Sequence, residues 1–526
     1  MRDDRWGAPD ASHRRTASAR PAASTAHRPA AWHLIYEHSQ TIWEVRAVRR
    51  RLTLAAGVAA AIVVAGPAAA QTVSAPLNVT NSQFAANEES LGMNPDGSVL
   101  AAAWNDWHFN DGCGFSYSTN SGTTWAPESF VPGLTTTTND PTVPGLNQKF
   151  SIAGDPAVAF NPKFKQFDVV CQAFGTATGN QIQLLATTFD PRKVVDRNDT
   201  NGSYGLAAWR LPASVITTGS ANGTIKGSNG KFTDHETMTV DTNRSSPHYG
   251  RIYVGFAEFS GKGRSPIDIA YSDDDGATWT GPVRVSDNNH QFDQDARPSV
   301  APNGDVLMTW INGPNEKSLT NNVAMADISR DGGSTWGADA TVAPIPGAYS
   351  GLPNSLYRDS TDVWSTTDSH GRLVVAYTDN STGVPQVWTA HALNSDSVAG
   401  FSEAFRVHPT SQTQFFPWLS ASPNTGRVDL VFYDRSCDPV NDTLNCVSES
   451  STTDGGATWS TVPVTTVGFD GDRFGACLAF VDPPDCQNFF LGDYIATAST
   501  DTKAQLLWTA NGPNALDVFS ARVTFP

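Results

Sequence analysis

The stretch YSDDDGATWTGP, residues 271–282, recurs along this chain of 526 residues. Near copies are ISRDGGSTWGAD at 328–339, STTDGGATWSTV at 451–462 and, more loosely, YSTNSGTTWAPE at 117–128. The shared pattern is Ser-x-Asp-x-Gly-x-Thr-Trp, and its third position is held by Asp274, Asp331, Asp454 and, in the first copy, Asn120. One unit repeated in this way predicts a fold assembled from copies of a single building block.

Each position of the motif has a mechanical role in a tight turn. The side chain of an Asp or Asn such as Asp274 accepts hydrogen bonds from the backbone N–H groups of its own turn. Glycine supplies the positive φ that a tight hairpin needs. The tryptophan that follows, Trp279 in the quoted copy, is expected to begin the next strand and to bury its ring between neighbouring sheets. No member is a nucleophile beside a base, so the motif predicts architecture and not chemistry.

The composition favours an all-β protein. The 43 glycines, 33 prolines and 15 tryptophans suit many short strands joined by tight turns. No long apolar pattern of helical period appears beyond residue 80. With 39% hydrophobic and 10% aromatic residues, the chain lies outside the disordered class.

The first 70 residues differ from the rest. VRRRLTLAAGVAAAIVVAGPAAAQ, residues 48–71, joins an arginine cluster, a short apolar run and a small-residue end. This pattern predicts a signal peptide over 45–70 with cleavage before Gln71, and a twin-arginine route is a weaker prediction. A transmembrane anchor is the alternative, although the apolar run is short for a span. Residues 1–44 are expected to be a non-structural extension or a start codon assigned too early. The protein is then a bacterial one, secreted or periplasmic.

The charge of the exported chain limits its partners. Beyond residue 70 there are 25 Lys and Arg against 47 Asp and Glu, a net charge near −22. Such a field repels nucleic acid and anionic membranes. We therefore expect no nucleic-acid partner and no stable membrane insertion, and we expect a monomer.

Six cysteines follow the signal segment and fit an oxidising compartment. Cys437 and Cys446 are nine residues apart, as are Cys477 and Cys486, so local bridges are the natural pairing. Cys113 would then pair with Cys171. Six cysteines allow 15 pairings, so this assignment is a preference among alternatives.

The repeated motif resembles the Asp-box, or bacterial neuraminidase repeat, of sialidases and related β-propellers. A second recurrence supports a propeller: six segments, beginning near 89, 155, 236, 297, 362 and 417, each read as strand, turn, strand. A seventh, looser copy begins at Gly492 and lacks one strand, which TVSAPLNVT at 72–80 would supply. We predict that 71–526 is a single propeller of seven blades closed by this N-terminal strand. Six blades is the alternative, because sialidases have six. The extra length before Trp279 is assigned to an insertion at 191–231.

In such propellers functional residues lie where the innermost strands begin, around the axis. Aligning the repeats gives one residue per blade at this position: Glu88, Asp155, His235, Arg297, Asp362, Pro417 and Asp493. Close neighbours are Asp234, Glu236, Asp295 and Tyr494. Two carboxylates across a narrow channel can serve as general acid and as base or nucleophile in glycoside hydrolysis. The alternative is structural: these groups cap strands, bond to one another, or hold a structural Ca²⁺.

Sialidases use a tyrosine nucleophile with a glutamate partner, an aspartic acid, and three arginines that grip the sialic acid carboxylate. The resemblance implies Tyr494 for the tyrosine and Glu236 for its partner, with Arg297 as one arginine. The catalytic candidates are Asp155, Glu236, Asp362, Asp493 and Tyr494, and the substrate-binding candidates are His235 and Arg297. The family's Arg-Ile-Pro segment is absent. Arg297 is the one arginine on the ring, although Arg358, Arg435 and Arg473 could reach it from loops.

We therefore expect a secreted, sialidase-like glycoside hydrolase acting on an extracellular glycan or glycoconjugate, and not a true exo-sialidase. It is expected to require no cofactor, although a structural Ca²⁺ is possible. The alternative is a non-catalytic propeller that binds carbohydrate or protein. The two differ in whether the ring carboxylates face an open pocket or are sealed in mutual hydrogen bonds.

Overall fold

Seven antiparallel sheets follow one another along the described part of the chain, and each forms one blade of a β-propeller. In this computed structural model the described residues are 70–107, 112–134, 150, 152–175, 181–220, 231–260, 264–289, 292–314, 321–347, 351–358, 363–474 and 489–526. They lie in one compact unit, Pro67–Pro526. The fold is all-β, as predicted. The helices among the described residues are three short 3₁₀ turns, Pro191–Lys193, Leu206–Ala208 and Arg435–Cys437.

Two short strands precede the first blade, β1 (Thr72–Val73) and β2 (Leu77–Asn78). Blade 1 comprises β3 (Ala86–Met93), β4 (Leu100–Asp106), β5 (Gly112–Ser118) and β6 (Ser129–Phe130). Blade 2 comprises β7 (Ile152–Asn161), β8 (Gln166–Gly175), β9 (Gln181–Phe189) and β10 (Ser214–Ser220). Blade 3 comprises β11 (Lys231–Val240), β12 (Ile252–Ser260), β13 (Ile267–Ser272) and β14 (Thr280–Arg284).

The second half of the ring repeats this plan. Blade 4 comprises β15 (Asp293–Val300), β16 (Val306–Asn312), β17 (Asn322–Ser329) and β18 (Ala340–Ile345). Blade 5 comprises β19 (Val363–Thr367), β20 (Leu373–Asp379), β21 (Gln386–His391) and β22 (Phe405–Arg406). Blade 6 comprises β23 (Gln414–Ala421), β24 (Val428–Asp434), β25 (Leu444–Thr452), β26 (Ser460–Pro463) and β27 (Phe469–Asp470), which also pairs with β25. Blade 7 contains β28 (Ala496–Ser499), β29 (Lys503–Asn511) and β30 (Leu516–Thr524).

The N-terminal strand closes the ring, as predicted. β1 pairs with β30, so that Thr72 lies opposite Thr524, and β2 also pairs with β30. Blade 7 is thus completed by both ends of the described chain, which leaves no blade unfinished. The first strand of each blade packs against the first strand of the next, from β3 through β28 and back to β3. These seven strands therefore surround the axis.

The second strand of each blade is buried on both faces, because sheets pack on either side of it. This explains the near-continuous apolar sequences of these strands, such as LAAAW in β4 and LVVAY in β20. Separate apolar clusters fill the spaces between successive blades. Between blades 1 and 2, for example, the ring centroids of Phe115 and Phe189 lie 4.8 Å apart.

The four repeated turns share one set of hydrogen bonds. The carboxylate of Asp274 accepts the hydroxyl of Ser272 at 2.8 Å, and the N–H and hydroxyl of Thr278 at 2.8 and 2.6 Å. The N–H of Gly276, whose φ is 72°, donates to the Ser272 hydroxyl. Equivalent bonds are made by Asn120, Asp331 and Asp454. One expectation needs correction: the motif tryptophans are half-buried against the core and not fully enclosed, because each lies at the outer end of its blade.

The insertion predicted at 191–231 is shorter and lies inside blade 2. Residues 190–213 join β9 to β10 and pack against blade 1, where the Tyr204 hydroxyl donates to the backbone oxygens of Phe115 and Pro127. Residues 214–220 form the outermost strand of the blade, and 221–230 lie outside the described residues.

Two of the three predicted disulfides are present. Cys113 on β5 is bonded to Cys171 on β8, which joins blades 1 and 2, and Cys437 is bonded to Cys446 within blade 6. Cys477 and Cys486 lie outside the described residues. The part of the chain that the structure describes contains no helix with the length and apolarity needed to cross a membrane.

Candidate functional site at the propeller axis

A β-bulge interrupts the innermost strand near its start in five blades. The register shifts between Asn87 and Ser90, Gly154 and Ala157, Asp234 and Thr237, Gln294 and Arg297, and Phe415 and Trp418. The first bulged residue has a positive φ each time, at Glu88 (57°), Asp155 (48°), His235 (54°), Asp295 (62°) and Phe416 (51°). Such a backbone is costly for a residue with a Cβ and is typical of functional sites, where a bulge redirects a side chain. The same β-bulge in these blades places the bulge residues, most of them polar, at one end of the axis.

Blades 7, 1 and 2 are joined there by hydrogen bonds. The Glu88 carboxylate accepts the backbone N–H of Asp493 at 2.9 Å and a bond from the Asn105 amide. Asn105 also donates to the Asp155 carboxylate at 3.2 Å and accepts the Asp155 N–H at 2.6 Å. Gly492 has a φ of 110°, and a Cβ at this position would lie 3.0 Å from Glu88 Cγ. Glycine is therefore needed where blade 7 meets blade 1.

Blade 3 contributes three consecutive titratable groups. Nδ1 of His235 lies 3.0 Å from the Asp295 carboxylate on blade 4, and its Nε2 lies 3.8 Å from Asp234. Glu236 is 3% exposed, and neither of its carboxylate oxygens has a hydrogen-bond partner among the described residues. Buried carboxyl groups are nearly always hydrogen-bonded, so Glu236 stands out from its neighbours.

A loop reaches the ring from outside the blades that it connects. Residues 351–358 precede β19 of blade 5, yet Tyr357 bonds to Asn445 of blade 6 and Arg358 reaches blade 7. The Arg358 guanidinium forms a two-point contact with the Asp493 carboxylate, with Nε at 2.7 Å, and lies over the ring of Phe490. The loop thus fixes Asp493, the residue before Tyr494.

The opposite side of the ring is aromatic. The Arg297 guanidinium lies 3.8 Å from the centroid of Trp364, which stacks on Trp418 at 3.4 Å. Tyr494 contacts both indoles, with centroids 6.3 Å and 6.0 Å away. Arg297 is 2% exposed and lies 3.9 Å from Asp295. These contacts link blades 4, 5, 6 and 7, whereas Glu88, Asp155, Asp234 and Glu236 lie on blades 1 to 3.

Burial and mutual repulsion shift the pKa values of the clustered acids. Burial, then the charge of Asp155, raises the pKa of Glu236 well above its ordinary range. Burial, then Asp155 and Asp493, does the same for Glu88. Burial raises the pKa of Asp234 to about 6, although the neighbouring His235 lowers it. Burial, then Asp155, Glu88 and Glu236, raises the pKa of the Tyr494 phenol. Such interactions place these groups of blades 7, 1, 2 and 3 within electrostatic reach of one another.

The structure changes the alignment of the ring. Asp295, and not Arg297, is equivalent to His235, because each is the positive-φ residue of the β-bulge on its own strand. In blade 6 the equivalent residue is Phe416 and not Pro417, and in blade 7 the positive φ falls on Gly492, just before Asp493. Asp362 lies outside the described residues.

The loop arginines have different places. Arg358 reaches the ring, whereas Arg435 is fully buried and bonds to Tyr357 and Asn445. Arg473 is exposed and lies over Phe474. Among the described residues, the arginines at the ring are thus Arg297 and Arg358.

Three contributors were missed by sequence reasoning: Asn105, Trp364 and Trp418. Asn105 lies on the second strand of its blade, outside the aligned positions. The one signal in the sequence is that a polar residue follows the apolar stretch LAAAW of this strand. Trp418 lies on the innermost strand of blade 6, and its stacking on Trp364 of blade 5 has no signal in the sequence. Among the described residues no group of three or more His, Cys, Asp or Glu side chains is arranged to hold a metal ion.

No protein family and no curated protein matches the sequence. Similar solved structures include a protein of unknown function from Dyadobacter fermentans, with 12% identity over 86% of this chain and 99% of that one, at a TM-score of 0.44. The polysaccharide lyase Uly1 has 10% identity over 83% of this chain and 89% of its own, at 0.47. The intramolecular trans-sialidase from Ruminococcus gnavus has 13% identity over 68% and 91%, at 0.39. At such identities the likeness concerns the fold alone.

Proposed function

We propose that the protein is a carbohydrate-active enzyme, a glycoside hydrolase whose active site is the cluster at the start of the innermost strands. The observation that carries this proposal is the buried carboxyl group of Glu236, which has no hydrogen-bond partner among the described residues and a raised pKa. A carboxyl group whose pKa is raised by burial is suited to protonate the departing oxygen of a glycosidic bond.

Asp155 is the second carboxylate of the proposed pair. It is half-buried on the neighbouring blade, and Asn105 fixes both its backbone and its side chain. A carboxylate held in this way can activate water or attack the sugar carbon while Glu236 supplies the proton. Tyr494 is the alternative nucleophile. Because burial and the nearby acids raise its pKa, its phenol needs Glu236 as a base in that version.

The remaining ring residues act by position. Asp493 is held by Arg358, and the buried Arg297 supports the aromatic wall of Trp364 and Trp418. His235 is half-buried beside Asp234, and in this proposal it contacts sugar hydroxyls. Arg297 and Arg358 both face carboxylates, so the described arginines do not favour a grip on the carboxylate of sialic acid.

A panel of neutral, amino and acidic glycans tests the proposal directly. The purified protein should release new reducing ends without forming unsaturated sugars, since hydrolysis adds water across the bond and elimination does not. Products with unsaturated ends would show that the enzyme is a lyase, which cleaves by elimination, and not a hydrolase. Absence of cleavage across the panel would contradict the hydrolase and support the alternative, a non-catalytic binding propeller.

A non-catalytic binding propeller is the second candidate. It is favoured by the bonds that engage Glu88 and Asp493, because carboxylates tied to Asn105 and Arg358 serve structure. It predicts that amide variants of ring acids melt at lower temperature and that no glycan is turned over.

We further propose that the protein is exported with cleavage before Gln71. β1 begins at Thr72, so a chain starting at Gln71 keeps the strand that closes blade 7. N-terminal sequencing of secreted protein should give Gln71 or a residue close to it. Secreted protein that retains 52–65 would contradict the cleavage.

A further inference from the structure

The disulfide between blades 1 and 2 lies directly behind the axial site. Cys113 is on β5, and its partner in the ladder between β4 and β5 is Asn105. Cys171 is on β8, opposite the bulge of β7 that contains Asp155. The bond between the two cysteines therefore joins the strand behind Asn105 to the strand behind Asp155.

The backbone of this bulge is held closely on the side of blade 1. Asn105 Oδ1 accepts the N–H of Asp155 at 2.6 Å, and Cys113 Sγ lies 3.6 Å from the backbone oxygen of Gly154, the preceding residue. A Cβ at Gly154 would lie 3.0 Å from Asn105 Oδ1, so a side chain there would crowd the contact. Cys113 and Cys171 are both 1% exposed. The disulfide and the Asn105 amide thus hold the bulge from two neighbouring strands.

The strand that carries Cys171 also contacts blade 3. Gln172, the next residue, is buried, and its side-chain amide donates to the backbone oxygen of Thr233. Thr233 directly precedes the three consecutive titratable residues of blade 3. At the disulfide, β8 therefore contacts the segments of both blades that carry the proposed catalytic pair.

We propose that the Cys113–Cys171 bond is a positioning element of the axial site, because it holds the bulge with Asp155 in place relative to blades 1 and 3. This inference rests on the proposed function, since it concerns how the same site is held. A catalytic group has to be held within about 0.5 Å of its productive position by the residues around it. A covalent tether between the strands behind Asn105 and Asp155 restricts the relative movement of the two blades at this point.

Other contacts hold blades 1 and 2 together away from the site. The rings of Phe115, Phe189 and Trp209 lie within 5.0 Å of one another, measured between centroids. The N–H of Val158 on β7 donates to the hydroxyl of Ser90 on β3 at 2.9 Å. A protein without the disulfide should therefore keep its blades and lose order at the bulge.

Hydrogen exchange of the Asp155 amide tests this positioning without any substrate. In Cys113→Ala/Cys171→Ala the amide should exchange at least about tenfold faster than in the wild type, because its bond to Asn105 opens more often. Asn105→Ala removes the acceptor itself and gives the reference for full loss of this bond. Cys437→Ala/Cys446→Ala removes the disulfide of blade 6 and should leave the exchange unchanged.

Three results would overturn the inference. The first is wild-type exchange of the Asp155 amide in the folded Cys113→Ala/Cys171→Ala protein. The second is equal acceleration in both double variants, which would show a general effect of losing a disulfide. The third is failure of Cys113→Ala/Cys171→Ala to fold, because the bond would then serve the fold as a whole and not the position of the bulge.

Kinetics separate this inference from the proposed function. With a substrate from the glycan panel, loss of the Cys113–Cys171 bond should lower kcat at least about tenfold with little change in KM, since a misplacement of about 1 Å can cost about 10²-fold. The rates are compared at a temperature at which each variant is folded. Cleavage with wild-type kcat in this variant would contradict the positioning role alone. Faster exchange of the Asp155 amide in the variant, with no cleavage by the wild type, would contradict the hydrolase alone.

Discussion

The carboxylate of Glu88 accepts the backbone N–H of Asp493 at 2.9 Å, which joins the first and seventh blades at the axial site. The strand pairing of Thr72 with Thr524 joins the two ends of the chain in blade 7. Closure of the propeller thus fixes the position of Asp493, and with it the adjacent Tyr494. The acid cluster consequently depends on ring closure as well as on the individual blades.

The contact between Arg358 and Asp493 should stabilise this junction. Asp493 is 4% exposed, and Arg358→Ala would leave its carboxylate without the two-point partner. Because Arg358 itself is half exposed, we expect a loss of about 1–2 kcal/mol in the free energy of unfolding, measured by urea denaturation. Arg358→Lys should restore only part of it, since lysine lacks the planar fork. Arg244→Ala, at an exposed position, is the control. An Arg358→Ala protein as stable as the wild type would show that the loop is not anchored by this pair.

The repeated turn allows a test with a control that the chain itself supplies. Asp274→Ala removes the acceptor of three hydrogen bonds and should cost about 1–3 kcal/mol. Asp274→Asn should cost much less, because in the first turn Asn120 accepts the same two bonds through Oδ1, and its Nδ2 donates to the threonine hydroxyl in place of the third. Thermal denaturation should rank the wild type, the Asn variant and the Ala variant in that order. Equal losses in both variants would mean that the carboxylate charge, and not the hydrogen-bonding geometry, holds the turn.

Buried acids should make stability depend on pH. Glu89 is completely buried, and burial raises its pKa to about 8 from an ordinary 4.5, although a bond from Thr509 lowers it. The folded protein therefore keeps a proton that the unfolded chain loses, so stability should fall as pH rises from about 4.5 to 8. One such group changes the unfolding equilibrium by at most about tenfold per pH unit. Glu89→Gln should make the fall in melting temperature less steep between pH 5 and 8, as roughly bracketed by these pKa values. If the melting temperature of the variant depends on pH as steeply as that of the wild type, Glu89 is not a source of the pH dependence.

Much of the fold could be predicted from the sequence because repetition makes it visible. The repeated turn and the recurrent strand–turn–strand segments predicted seven blades, and the missing strand of blade 7 pointed to the residues after Gln71. Both predictions are confirmed. Two disulfides, including the Cys113–Cys171 link between blades, are confirmed as well.

The residues at the start of the innermost strands were harder to predict from the sequence. The alignment that made Arg297 equivalent to His235 was wrong by two residues, because the bulge residues differ in type from blade to blade and so give a sequence comparison nothing to match. Positive φ is uncommon for residues other than glycine, and nothing in the local sequence marks Asp295 as one that adopts it. The stack of Trp364 on Trp418 joins residues of different blades and depends on the ring as a whole.

The central claim is that Glu236 carries the proton in glycan hydrolysis, and its most direct test compares Glu236→Gln with Glu449→Gln. Glu449 is also a buried glutamate with a raised pKa and no hydrogen-bond partner among the described residues, but it lies on β25, two strands out from the innermost strand of blade 6. With the substrate found in the glycan panel, Glu236→Gln should lower kcat by at least about 10²-fold at an unchanged melting temperature. Glu449→Gln should keep wild-type turnover. Full turnover in Glu236→Gln, or equal losses in both variants, would contradict the account.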